Sequence, residues 1–187
     1  MFNNYYVFII DMRTPFIAFL LTILLFPLLY LFGLKLLAIY MLIWVDKIVI
    51  GLFRPLRIFG FELTTIASVF AAVFYGPFVS FLLTLIIFTF LQSLRYLVFP
   101  IQPPDFPLFV PNKDSIIYAL GGLIAGFLPF SFPLLVIYTV LFKSGLYAIT
   151  DIIILKKPTY IVTLFGIILI HLVFLIPFGA AVLEFIR

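Results

Sequence analysis

Cysteine is absent from this 187-residue chain and histidine occurs once. Without thiols, and with a single imidazole, the inventory excludes disulfides, iron–sulfur ligation, a thiol nucleophile and any His/Cys metal cluster. Charge is scarce as well. Asp, Glu, Lys and Arg together make up 10% of the residues, where a soluble domain carries about 25%. What fills the chain instead is 66% hydrophobic and 20% aromatic residue, with a mean hydropathy of +1.39. So little polar material cannot cover a chain of this size in water. The composition therefore excludes a soluble enzyme, a nucleic-acid binder and a disordered linker, and predicts an integral membrane protein. The 26 phenylalanines read as lipid contact and core packing.

Enzyme motifs are missing too. There is no HExxH or DxxD metal constellation, no GxSxG and no glycine-rich phosphate loop. The carboxylates, at positions 11, 46, 62, 105, 114, 151 and 184, form no local cluster. A protein without catalytic activity, resident metal or cofactor is the expectation.

The formal charge of +4 reads in a membrane chain as a record of orientation. The N-terminal MFNNYYVFIIDMRTP has no basic segment ahead of an apolar run and no small-residue cleavage site. The first membrane helix is thus expected to stay and direct insertion itself.

Residues 14–34 carry no charge, and at ~1.5 Å per residue they cross a ~30 Å hydrocarbon core, with Pro27 as a kink. Leu36 to Phe53 forms a second apolar stretch, interrupted by Asp46 and Lys47 and closed by Arg54-Pro-Leu-Arg57. The charge-free run Leu63–Leu94 is too long for one crossing, and Gly76-Pro77 lies inside it. A Gly-Pro step removes a backbone donor and restricts the residue before it, so a turn belongs there. Ser115–Phe142 repeats the pattern, broken at Pro129-Phe-Ser-Phe-Pro133. Both runs are read as helical hairpins. Between them, 99–113 holds five prolines and is expected to be a stiff interfacial loop. Pro158–Leu183 is the last span. The fold class predicted is an all-α, polytopic transmembrane bundle of five to seven segments, a single domain over 1–187.

Lys and Arg in short loops gather on the cytoplasmic side. With hairpins and a cytoplasmic N-terminus, Arg13, Arg54, Arg57, Arg95, Lys113, Lys156 and Lys157 lie inside, and Lys35 and Arg187 outside. If each broken run crossed once, Arg95 and Lys113 would move outside and the asymmetry would nearly vanish. The hairpin arrangement is preferred, in a multi-pass protein of the cell membrane. Full crossings and re-entrant dips both satisfy the count. The short pieces Leu63–Tyr75 and Ser115–Leu128, Gly/Pro-interrupted at corresponding places, are what transporters place at a binding site.

Several residues carry candidate chemistry. Asp46 lies deep enough that facing lipid would cost roughly 2.5–3.5 kcal/mol. It either binds a cation or polar solute group or holds helices together. Lys47 beside it points about 100° away in an α-helix and is expected to snorkel toward the cytoplasmic interface rather than pair with Asp46. His171, near the middle of its stretch, either carries protons or contacts a ligand, or makes one interhelical hydrogen bond. Lys143, Tyr147 and Asp151 share a helix face that lines a cavity or marks the interface. Glu62 suits a helix start, complementing its dipole. Small residues recur at helical spacing, Ala67 and Ala71, Gly121 and Ala125, Gly122 and Gly126, and allow close packing within the chain or against a partner.

Phe61-Glu-Leu-Thr-Thr-Ile-Ala-Ser-Val-Phe-Ala-Ala-Val-Phe-Tyr-Gly-Pro-Phe-Val-Ser-Phe, an apolar helix, a Gly-Pro turn and another helix, resembles the substrate-capture (S) subunits of energy-coupling factor transporters. Ile117-Tyr-Ala-Leu-Gly-Gly-Leu-Ile-Ala-Gly-Phe127 is similar to their later small-residue helix. The resemblance implies a helical bundle that binds a vitamin or metal near its outer face. It also implies docking through small-residue surfaces, here Ala67 and Ala71, onto a transmembrane coupling protein served by ATPases. The function expected is a membrane-embedded, small-solute-binding transport subunit. The alternative is a non-catalytic structural or assembly subunit of a larger membrane complex, with a small channel or lipid-modifying enzyme behind both. Expected partners are the lipid bilayer and either other membrane subunits or further copies of the chain.

Overall fold

The computed structural model describes residues 13–52, 61–99, 107–150 and 166–186. Among them the chain forms seven helices and no strand. Helix α1 (Arg13–Leu31) contains Pro27 and turns at Gly33 into α2 (Leu34–Trp44). Helix α2 continues through a π-helical stretch, Val45–Val49, and a 3-10 turn, Ile50–Leu52. Then come α3 (Thr64–Tyr75), α4 (Pro77–Val98), α5 (Lys113–Phe127), α6 (Phe132–Ala148) and α7 (Gly166–Ile186). Within α7, His171–Leu175 is again π-helical.

Both breaks fall where the prolines predict them. Gly76 adopts φ 82 and ends α3, and Pro77 opens α4 at the position where a missing N–H leaves nothing unpaired. The Ser80 hydroxyl donates to the Ser68 carbonyl at 2.8 Å across the turn, so α4 folds back along α3. The second break, Leu128 to Ser131, contains Pro129 and hands over to α6, where Pro133 occupies the first turn. Helix α5 starts cleanly at a reciprocal cap in which Asn112 Oδ1 accepts from Ser115 N–H, and Ser115 Oγ from Asn112 N–H, each at 2.9 Å. Of the proline-rich loop, Phe99 and residues 107–112 are described. There the Phe109 N–H donates to Ser93 Oγ at 2.8 Å, tying the loop's end to α4.

Helix α3 is the hub. Every residue from Thr64 to Ala72 is buried, against α2, α4, α5, α6 and α7. Twelve residues span about 18 Å, so the innermost helix is shorter than a hydrocarbon core. The outer helices show the opposite: Phe16, Leu24, Leu31, Phe78, Ile86 and Phe185 stand more than half exposed. An apolar surface of this extent needs a partner other than water. Among the described residues two helices, α4 and α7, are long and apolar enough to cross a membrane.

The bundle has two distinguishable ends. At one, Arg95 Nη2 donates to the Gly51 carbonyl at 2.9 Å, and α5 begins with Lys113. At the other, Lys35 Nζ sits 5.0 Å from the Phe74 ring centre, beside the Gly76 turn. There Phe78 meets Phe127 edge-on at 5.7 Å.

Ala67 and Ala71 are fully buried inside the bundle, which corrects their expected role as a partner-docking surface. Gly122 and Gly126 also pack inward. A Cβ on Gly122 would meet Ser80 Oγ at 2.4 Å, and one on Gly126 would meet Pro77 Cα at 2.5 Å. The small residues are spent on letting α5 approach the α3–α4 hairpin.

Candidate functional site

Five ionisable side chains from widely separated parts of the sequence converge around the start of α3. Asp46 and Lys47 come from the π-helical stretch after α2, Glu62 from just ahead of α3, Lys143 from α6 and His171 from the π-helical stretch of α7. A π-helix turns less per residue than an α-helix, and such segments recur at functional sites. Here π-helical stretches carry Asp46, Lys47 and His171, and the altered pitch re-aims these side chains into the bundle.

Two ion pairs organise the cluster. Lys47 Nζ lies 2.7 Å from Asp46 Oδ2, and Asp46 also accepts from the Leu63 N–H at 3.3 Å and from the Thr64 hydroxyl. This corrects the expectation that Lys47 would point away and snorkel: within a π-helical turn its long chain reaches back to its neighbour. Both residues are 5% exposed. The second pair joins Lys143 Nζ to Glu62 Oε1, which also accepts from the Thr65 hydroxyl at 2.7 Å. Lys143 donates in addition to Thr65 Oγ1 at 2.7 Å, and the Tyr118 hydroxyl from α5 donates to Glu62 Oε2. Asp46 and Glu62 thus stand at the N-terminal end of α3, where its dipole favours negative charge.

Aromatic faces complete the enclosure. Lys47 Nζ is 4.1 Å from the Phe88 ring centre and 4.9 Å from that of Tyr118, and Lys143 Nζ is 4.5 Å from Tyr118. Phe88 and Tyr118 pack on one another at 5.1 Å. Two carboxylates and two ammoniums balance, so the cluster is neutral when the imidazole is neutral. That balance lets four charges sit in an interior where a single one is prohibitive.

His171 is the exception to this saturation. Its Nδ1 stands 2.7 Å from the Ile167 carbonyl, and since a carbonyl only accepts, Nδ1 carries the proton. Nε2 then presents a lone pair. It has no hydrogen-bond partner, it is buried, and it faces Glu62 Oε1 at 3.6 Å. A void of about 20 Å³ is lined by His171 together with Val140, Leu141 and Leu172 among others.

Of the residues singled out in the sequence, Asp46, Lys143 and His171 are brought together. Tyr147 stands apart at the rim: its hydroxyl donates to Asp114 Oδ1 at 3.0 Å and its ring lies 6.5 Å from Tyr118. Asp151 lies outside the described residues. The sequence reading missed Glu62, Lys47 and Tyr118 as site residues. A usable signal existed for the first two, because isolated acids and bases inside apolar runs must find each other. Asp46, Glu62, Lys47 and Lys143 make a balanced set, whereas nothing local marks Tyr118 among the tyrosines.

Compared with known protein families, curated proteins and solved structures, the chain matches none.

Proposed function

We propose that this chain is a multi-pass integral membrane protein that binds a small polar solute at the Asp46–Glu62–Lys143–His171 cluster, as the solute-binding subunit of a transport system. Its N-terminus and the end carrying Arg95 and Lys113 face the cytoplasm, and the Gly76-Pro77 turn faces outward. The apolar surface of α1, α4 and α7 supports the membrane placement. Opposite ends for Lys35 and the Arg95–Lys113 pair agree with the positive-inside asymmetry.

The observation that carries the solute-binding reading is the unpartnered Nε2 of His171, aimed at Glu62 inside a buried cluster of charges. A cluster that served only to hold helices together would use apolar packing at lower cost. Ionisable groups within membrane segments belong by default to solute or ion pathways, and a buried polar atom without a partner calls for an explanation, which a ligand atom at Nε2 would supply. The test is purification in mild detergent followed by denaturing extraction and mass spectrometry. Wild type releases a small molecule that Glu62→Gln and His171→Ala, recovered folded, do not. Wild-type protein that yields no solute, even after purification from cells producing it at native levels, refutes the reading.

A further inference from the structure

Apart from the two lysines and the donors already bound to the carboxylates, the Leu63 N–H and the Thr64, Thr65 and Tyr118 hydroxyls, the groups that line the cluster receive positive charge. Asp46 and Glu62 are carboxylates, Tyr118 and Phe88 present ring faces, and His171 offers a lone pair at Nε2. Carboxylates and π-faces together are the chemistry of ammonium recognition. The positions this chemistry creates are occupied by the chain's own Nζ atoms, which sit on flexible four-carbon tethers. The acceptors, by contrast, stand on packed helices or, in Glu62, immediately ahead of one.

The spacing singles out one of these positions. Glu62 Oε1 and His171 Nε2 are two acceptors 3.6 Å apart, and two acceptors do not bond to each other. A donor nitrogen seated off the line between them reaches both at about 2.8–2.9 Å, a normal hydrogen-bond length. Lys143 satisfies the Glu62 side of this arrangement and leaves the imidazole side open. An anionic solute would meet the lone pair and both carboxylates instead. Of the two partners Glu62 is the nearer to the surface, its side chain 13% exposed against 1% for Lys143.

We propose that the solute is a small organic cation, a primary or secondary amine in its ammonium form, which displaces Lys143 from Glu62 and bridges Glu62 Oε1 and His171 Nε2. This rests on the solute-binding reading and names its chemical class. Lys143 is then a tethered stand-in: its ammonium keeps the empty site neutral, and when the solute ammonium takes its place Lys143 releases a proton to solvent, so the balance of two positive against two negative charges is kept.

The single histidine makes the test direct. Full-length protein labelled with ¹⁵N-histidine and held in lipid nanodiscs gives one imidazole, and its Nε2 resonance reports whether a donor has arrived. Titration with n-butylammonium in the millimolar range is expected to move that resonance saturably toward the hydrogen-bonded position, while n-butanol and butyrate leave it in place. Lys143→Ala, which removes the competitor, is expected to saturate at lower n-butylammonium concentration, and Glu62→Gln to abolish the response. A wild-type resonance unmoved by n-butylammonium, or moved equally by butanol or by butyrate, overturns the proposal whatever the variants do. An anionic or uncharged molecule extracted from native protein would sink the amine class while leaving the solute-binding reading standing.

Discussion

Gly126 of α5 rests against Pro77 of α4 so closely that a Cβ added to it would fall 2.5 Å from the proline's Cα. The second small-residue helix is thereby docked onto the turn of the first hairpin, and the neighbour it meets is backbone, which cannot swing aside. Gly126→Val is expected to destabilise the bundle by about 1–3 kcal/mol or more through overpacking. Gly145 in α6 is exposed with nothing within 4 Å of its would-be Cβ. Gly145→Ala should therefore stabilise slightly, by about 0.5–1 kcal/mol. Unfolding of the two variants in the same detergent checks both, and equal stability would contradict this packing.

The buried pairs predict non-additive energetics. Glu62→Gln strips the counter-charge from a Lys143 that is 1% exposed, and removing one partner of a buried pair costs about 3–5 kcal/mol. Combining it with Lys143→Met removes the stranded charge, so the double variant should recover most of the loss. The measurement is a double-mutant cycle. A double variant as unstable as the sum of the two singles would show that these groups do not pair.

Proton placement on His171 follows from its contact with Ile167. The imidazole is expected in the neutral, Nδ1-protonated form at neutral pH, the less common tautomer of a free histidine side chain. Nitrogen chemical shifts of the labelled residue settle it. A neutral ring protonated at Nε2 instead of Nδ1 would mean that the 2.7 Å contact to the Ile167 carbonyl is not a hydrogen bond.

Gly76 turns at φ 82 with open space around its missing side chain. Gly76→Ala therefore meets no neighbour but must hold φ 82 and ψ 175, a backbone region that is essentially glycine's alone, at a cost of about 1–3 kcal/mol. Thermal unfolding should show a loss of that size. A much larger loss would place an unseen contact at the turn.

Topology can be read by labelling, because the natural chain has no cysteine to remove. Lys113→Cys and Lys35→Cys place single thiols at exposed positions on opposite ends of the bundle. In intact cells an impermeant maleimide is expected to reach position 35 and to reach position 113 only after permeabilisation. The reverse pattern would invert the orientation proposed for the whole chain.

Much of the architecture was legible because it depends on local chemistry. The scarcity of charge sets the solvent that the outer surface demands. Gly76-Pro77 and Pro129 to Pro133 stop helices, since a proline lacks an N–H and restrains the residue before it, whereas the isolated Pro27 and Pro177 lie within α1 and α7. Asp46, Lys143 and His171 stand out as ionisable groups within apolar runs. Which of them meet was not legible: Lys143 and Thr65 touch across 78 positions, and only the packing of α6 onto α3 joins them. The pairing of Asp46 with Lys47, the inward turn of His171 and the selection of Tyr118 came from the tertiary structure alone. In the first two a π-helical stretch resets side-chain direction, and in the third a glycine-lined approach of α5 brings one tyrosine of ten over the charges. Composition and punctuation act through each residue's own backbone and hydration, whereas a binding cluster exists only where several helices meet.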